Sequence, residues 1–260
     1  MVAQRSPSSR RNREPLMASF AGGWFSMGSD DGAPAESPQH QRHVAPFEID
    51  RSLVTNSDFG AFVDQTGYRT TAETVGAAWG FDGERFGDVP GLNWRSYATA
   101  ARQTHPVVLV SWHDAAAFAS WADKRLPTEA EWEFVARLAA CGAVFPWDDG
   151  GDPFEHCGAG RTWGDGPGTS PVGRYGSRVG VDDLVGNVWQ WCSDHYSGSA
   201  YADYTLNASE APIGDRGGED LRVRRGGAWN VMQAFRLRCA NRGAYLADRP
   251  APNLGFRCAR

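Results

Sequence analysis

Arg225-Gly226-Gly227-Ala228-Trp229-Asn230, continued by Arg236, Arg238, Asn241 and Arg242 and closed by Asn253-Leu254-Gly255-Phe256-Arg257, is the stretch on which the fold of this chain turns. Residues 221 to 260 hold nine arginines against one acid, Asp248, a local charge of +8. The whole chain carries −5, so the remainder carries −13. Two arrangements account for this split: a basic segment seated on an acidic body, or a groove for an anionic or carboxylate ligand.

Outward from that stretch, 260 residues fit one irregular domain. Hydrophobic content of 41% with 11 tryptophans supplies a core. No run approaches the roughly 18 apolar residues a membrane span needs, so no membrane partner is expected. With 31 glycines and 15 prolines, turns and ordered loops should outweigh long regular elements. Arg5, Arg10, Arg11 and Arg13 lie among Ser and Pro with no apolar stretch behind them. Residues 1–16 therefore read as a disordered basic tail, not a secretory signal or a nucleic-acid arm, and 17–260 as the domain. Met17 is an alternative start. A cytoplasmic chain is expected, and no pattern sets its oligomeric state.

The five cysteines, Cys141, Cys157, Cys192, Cys239 and Cys258, lack CxxC spacing, which disfavours a zinc site or a disulfide framework and leaves reduced thiols. Three hydroxyl-to-acid spacings start helices by satisfying free backbone donors: Thr55 with Asp58, Ser111 with Asp114, Thr128 with Glu131. The first helix should stop at Gly67 and bury Phe59, Phe62 and Val63. The second, about Trp112 to Lys124, places Ala116, Phe118, Ala119 and Trp121 on one face, with Lys124 and Arg125 against its negative end. The third presents Trp132, Val135, Ala136 and Leu138. Short strands are expected at Phe47–Ile49, Val107–Val110, Val223–Arg225 and Gly255–Cys258. Residues 206 to 220 read as a polar surface excursion.

Taken together, several runs resemble the formylglycine-generating-enzyme (sulfatase-modifying factor) domain family. They are Gly23-Trp24-Phe25-Ser26-Met27-Gly28, Val54-Thr55-Asn56, His105-Pro106-Val107, Arg125-Leu126-Pro127-Thr128-Glu129-Ala130-Glu131-Trp132-Glu133, Gly186-Asn187-Val188-Trp189-Gln190-Trp191 and the two C-terminal signatures. The resemblance implies an α+β, irregular C-type-lectin-like fold of low regular secondary structure, with a groove lined by the C-terminal segment. Members that convert a sulfatase cysteine to formylglycine hold copper through two thiolates, ligands that suit soft Cu(I). Here the first matches Val231, the second falls in a deletion near Phe235 and Arg236, and the active-site serine matches Ala228. Formylglycine-generating activity is therefore not expected. Cys239 and Cys258 match structural cysteines whose partner positions read Ala136 and Ala119, so no disulfides are expected there.

A family calcium site carries over in part as Asp183, Gly186, Val188 and Gln190, oxygen donors of the kind Ca2+ takes, with Gln190 in place of a carboxylate. Structural Ca2+ is the expected cofactor. A second family calcium site falls within the shortened residues 156 to 175 and is expected to be absent. A redox metal, iron or copper, is implied for an oxidoreductase of this family, but its ligands are not identified. His40, His43 and Glu36 are one candidate cluster, read as solvated; His105 is read as a hydrogen-bonded core histidine, His113 and His195 as standing alone, and His156 with its neighbour Cys157 as a loop pair without a metal role.

Trp189 and Trp229 match positions flanking the family groove. With Asn230, Gln233, Arg236, Asn241, Arg242 and Asn253 they form the candidate binding set for a small-molecule or peptide substrate with an anionic group, Arg236 or Arg242 taking the acid. A polar network bracing the loop is the alternative for the same residues. Two functions stand: a metal-dependent, non-haem-iron-type oxidoreductase acting on a small polar or amino-acid-derived substrate, or a non-catalytic, calcium-stabilised ligand-binding module.

Overall fold

The computed structural model describes residues 17–147, 151–164, 166–177, 179–202 and 220–260. The tail 1–16 and most of the excursion at 206 to 220 lie outside them.

All three helix starts form complete capping boxes. They open α1 (Asn56–Thr66), α3 (Trp112–Trp121) and α4 (Glu129–Ala140). A fourth box, Thr70 with Glu73, opens the short α2 (Thr71–Val75), which the sequence reading missed. Gly67 ends α1 with φ 69, the left-handed cap that glycine takes without penalty. Helix α3 stops at Trp121, three residues early, because Lys124 turns inward to Asp50 (2.7 Å) and Arg125 pairs with Glu131 (2.6 Å). Neither cation serves the helix end. Trp121 and Leu138 lie partly in solvent, and Ala115 and Ala139 take the inward places instead.

Among the described residues the strands are β1 (Met17–Phe20), β2 (Gly23–Met27), β3 (His40–Val44), β4 (Phe47–Asp50), β5 (Ala77–Phe81), β6 (Phe86–Pro90), β7 (Trp189–His195), β8 (Leu221–Arg225), β9 (Arg242–Leu246) and β10 (Leu254–Gly255). Strands β1 and β4, β2 and β3, and β5 and β6 make antiparallel pairs. The largest sheet has the order β10-β7-β8-β9, with β10 parallel to β7 and the other pairs antiparallel. This is the expected α+β architecture of short elements.

Val107–Val110 is buried but forms no strand. Its amides go to Val54 and Ala251, and Leu109 at φ 61 breaks the extended run. The expected strand 255–258 is reduced to Leu254–Gly255. Beyond it the chain becomes a strap: Phe256 O accepts from Val54 N, Cys258 N donates to the Asp50 carboxylate, and Ala259 bridges both Ile49 and Arg125.

The core is aromatic. Phe59 lies 5.9 Å from Phe118 and 5.1 Å from Trp94, and Phe118 lies 5.4 Å from Phe256, so the rings join α1, α3 and the strap. Trp132 from α4 and Trp191 from β7 are fully enclosed. The pair that opens the decisive stretch is required by space and backbone alike. Gly226 has φ 96, with Leu184 O at 2.5 Å from where a Cβ would stand, and Gly227 has φ 68 against Arg236 O at 3.0 Å.

Candidate functional site in the C-terminal groove

Strand β8 reads Leu-Arg-Val-Arg-Arg, and the period of two sorts its arginines. Arg225 points toward α4. Arg222 and Arg224 point the other way, over the rings of Trp112 (3.9 Å) and Trp189 (4.7 Å).

On the α4 side, Glu129 and Glu133 stand one helical turn apart and enter the core. Arg225 donates to Glu133, to Glu129 (3.3 Å), and to the carbonyls of Cys239 (2.7 Å) and Ala240 (3.1 Å). Arg242 grips Glu129 with two parallel bonds of 2.7 Å and donates to Ala35 O and Ser197 O. Burial raises the Glu129 pKa, but the guanidinium groups of Arg242 and Arg225 outweigh it and hold this carboxyl below its usual range. Arg238 and Asn241 are likewise committed, both donating to the buried Glu36. The expectation that Arg242 and Asn241 face a ligand is thus corrected: three arginines of this segment are taken by Glu129, Glu133 and Glu36, and two more pair with Asp220 and Asp88.

The remaining candidates divide. Trp229 is only 1% exposed. Its indole N–H donates to Pro252 O (3.3 Å), and Trp163 and Gly168 cover its ring, so it is a core residue and not an open wall. Trp189 is also buried, with one face under Arg224. Asn253 accepts from the Trp189 amide through its carbonyl (2.9 Å) and donates its side chain to Asn230 (3.1 Å) at the surface. Gln233 and Arg236 lie exposed on the turn that follows, Arg236 beside the Phe235 ring. The structure therefore brings Trp189, Asn230 and Asn253 together, leaves Gln233 and Arg236 exposed on the following turn, and buries Trp229, Asn241 and Arg242 in contacts of their own.

The residues expected to hold calcium are also engaged with one another. Gln190 Oε1 accepts from Trp132 Nε1 (2.9 Å) and Arg257 Nε (2.8 Å). Both are donors, so this atom is the oxygen, and the amide nitrogen is turned onto Asp183 O and Leu184 O. Gln190 is therefore not an oxygen ligand here, which corrects its assigned role. The Asp183 carboxylate accepts from Gly173 N (2.7 Å) and Asn187 Nδ2 (3.3 Å), and burial raises its pKa. What remains, one such carboxylate with the carbonyls of Gly186 and Val188, does not fit an ion that takes six to eight oxygens. Excess chelator should leave the melting temperature unchanged, and Asp183→Ala should lower it equally with and without Ca2+. A calcium-dependent rise would restore the metal reading.

His40, expected in solvent, is buried on β3, its ring 4.7 Å from Tyr201; His43 is exposed and Glu36 is bound to Arg238. His105 bonds Thr169 as expected (2.9 Å) but is half-buried and not a core residue; partial burial lowers its pKa. Among the described residues no three His, Cys, Asp or Glu side chains converge as metal ligands. The cysteines are free thiols. Cys239 donates to Ala136 O (3.4 Å), which brings together the two positions that the resemblance pairs.

The sulfatase-modifying factor enzyme 1-like domain family matches residues 2–260. The chain belongs to this family. It is 37% identical to the formylglycine-generating enzyme of Streptomyces coelicolor, a match covering 99% of this chain and 93% of that one. At 34%, over 95% of this chain and 86% of the relative, it is also similar to the inactive C-alpha-formylglycine-generating enzyme 2 of Mus musculus. The solved structure of PvdO from Pseudomonas aeruginosa superimposes with TM-score 0.71 at 28% identity, covering 95% and 94% of the two chains. Relatives named as active and as inactive lie at near-equal identity, so family membership does not decide the chemistry.

In this sulfatase-modifying-factor-family chain, copper fails the same test of fit. Ala228 and Val231 are buried and carry no thiol, and Cys239 is turned into the core with its pKa pushed up to about 12 by burial. No described helix is long and apolar enough to cross a membrane. Sequence reasoning missed Arg224, although alternation along Val223-Arg224-Arg225 was the available signal. It also missed Glu129 and Glu133, whose spacing of four marks one helix face.

Proposed function

We propose that this chain is a ligand-binding member of the sulfatase-modifying factor family that does not generate formylglycine. Its groove, beside Trp189 and between the Asn230–Asn253 pair and Arg236, holds a small polar or peptide ligand with an anionic group. What supports the reading is the resemblance itself: on its motif positions the two copper thiolates would fall at Val231 and in a gap, and the serine at Ala228, side chains that offer neither thiol nor hydroxyl. The likeness to a relative named inactive supports it. Oxidation of the bound ligand by non-haem iron is the second reading, favoured by family membership. It requires ligands that the described residues do not bring together, and so ranks below binding.

A Cys-x-Pro-x-Arg peptide incubated with the purified chain and added copper should keep its mass. The Streptomyces coelicolor relative serves as the positive control. Conversion of the cysteine to an aldehyde, seen by mass spectrometry and trapped by a hydrazine, would overturn the reading. Val231→Cys alone should not install activity, because the second thiolate has no position to occupy.

A further inference from the structure

We infer that Arg224 anchors an oxyanion subsite in this groove, taking a carboxylate or phosphate of the bound ligand on its two terminal nitrogens; this rests on the ligand-binding reading above. Of the nine arginines in residues 221 to 260, Arg222, Arg225, Arg238, Arg242 and Arg249 each meet a carboxylate, and Arg257 and Arg260 meet backbone carbonyls. Arg236 lies in solvent. Arg224 alone among them is largely enclosed yet makes no hydrogen bond or ion pair to the described residues.

Its geometry is that of a held fork. The guanidinium lies 4.7 Å from the Trp189 ring and 5.1 Å from the Tyr245 ring. Across the β8–β9 ladder stands Gly243, which leaves the space: a Cβ there would come within 3.2 Å of Arg224 Nε. Nε is sealed from water without a partner, while the terminal nitrogens are not sealed and have none. An arginine serving only to brace the sheet would be expected to find an acid or a carbonyl, as every other enclosed arginine of the segment does. Burial lowers the Arg224 pKa to about 10, and the nearby Arg236 cation adds repulsion. An arriving oxyanion relieves both, and two rings already fix the plane in which a carboxylate docks by two parallel bonds.

The full chain should be melted, and its tryptophan fluorescence recorded, with benzoate, inorganic phosphate and benzamide. Benzoate or phosphate is expected to raise the melting temperature and change the Trp189 emission. Benzamide, of benzoate's shape without its charge, should do neither. Arg224→Met should abolish the response while leaving the ligand-free melting temperature unchanged or higher, since an unpaired enclosed charge has been removed. Arg224→Lys should weaken binding at least about tenfold, having lost the fork. If Arg224→Met does not fold, Arg224→Gln tests the same loss.

A response to benzamide equal to that of benzoate, a response that survives Arg224→Met, or none to either anion would overturn the subsite. Binding that survives Arg224→Met leaves the ligand-binding reading intact. Formylglycine formation overturns that reading without bearing on Arg224.

Discussion

Arg225→Ala is expected to remove about 3–5 kcal/mol of stability, the usual cost of stripping one partner from a buried ion pair. Native domains hold only about 5–15 kcal/mol, so much of this variant should be insoluble or unfolded at physiological temperature. The residue is fully enclosed. Removing it leaves Glu133, also fully enclosed, with Arg137 and the Gly28 amide, and strands the carbonyls of Cys239 and Ala240. Arg242→Ala should behave alike, because Glu129 loses both bonds of its fork. Neither should act as a binding mutant with an intact fold. Urea denaturation measures the difference, and a midpoint shift worth less than about 1 kcal/mol would show the network to be dispensable. The pH dependence has a definite sign. Because the folded Glu129 pKa lies below its unfolded value, this contribution is present above the ordinary carboxylate range and is lost as pH falls through the lowered value.

Trp229→Ala is expected to cost a further about 3–5 kcal/mol, the range for emptying an enclosed aromatic site. The indole braces three segments: Pro252 through its N–H, and the 163 and 168 positions through its ring. Its amide also donates to Asn187 O, so the side chain and backbone together hold the turn after Gly227 against the sheet. Trp229→Phe keeps most of the volume and should recover more than half of the loss. A calorimetric melt of the two variants tests this. Full stability in Trp229→Ala would count against this bracing role and favour the groove-wall role expected from the sequence.

The parts of the fold set by local chemistry were legible in the sequence. Thr55, Ser111 and Thr128 cap helices because the acid that answers each hydroxyl lies three residues on, within reach of any reader of the chain. The expected loss of a thiolate at Val231 is read the same way, from the residue that stands where the resemblance puts a cysteine. What long-range pairing decides was not legible. Lys124 and Arg125 look like helix-end cations until Asp50 and Glu131 claim them. Arg242 looks like a ligand-binding fork until Glu129, 113 residues earlier, fills it. Gln190 reads as an oxygen donor until Arg257 and Trp132 turn its amide round. Charge counted along a segment cannot tell an arginine that has found its acid from one that has not. That distinction separates Arg225 from Arg224, its neighbour on the same strand.

The strap formed by residues 256 to 259 also bears on how the protein is made. Asp50, Ile49 and Val54 obtain their final partners from residues about two hundred positions later. Contacts of such separation place the chain among slow-folding topologies, where loop closure precedes any gain from pairing. On a ribosome adding roughly 5–20 residues per second, the segment from β1 to α4 waits several seconds before its sealing residues emerge. During that interval a buried aspartate and an aromatic cluster stand uncovered, which makes chaperone demand during synthesis a property of this topology, independent of the stability finally reached.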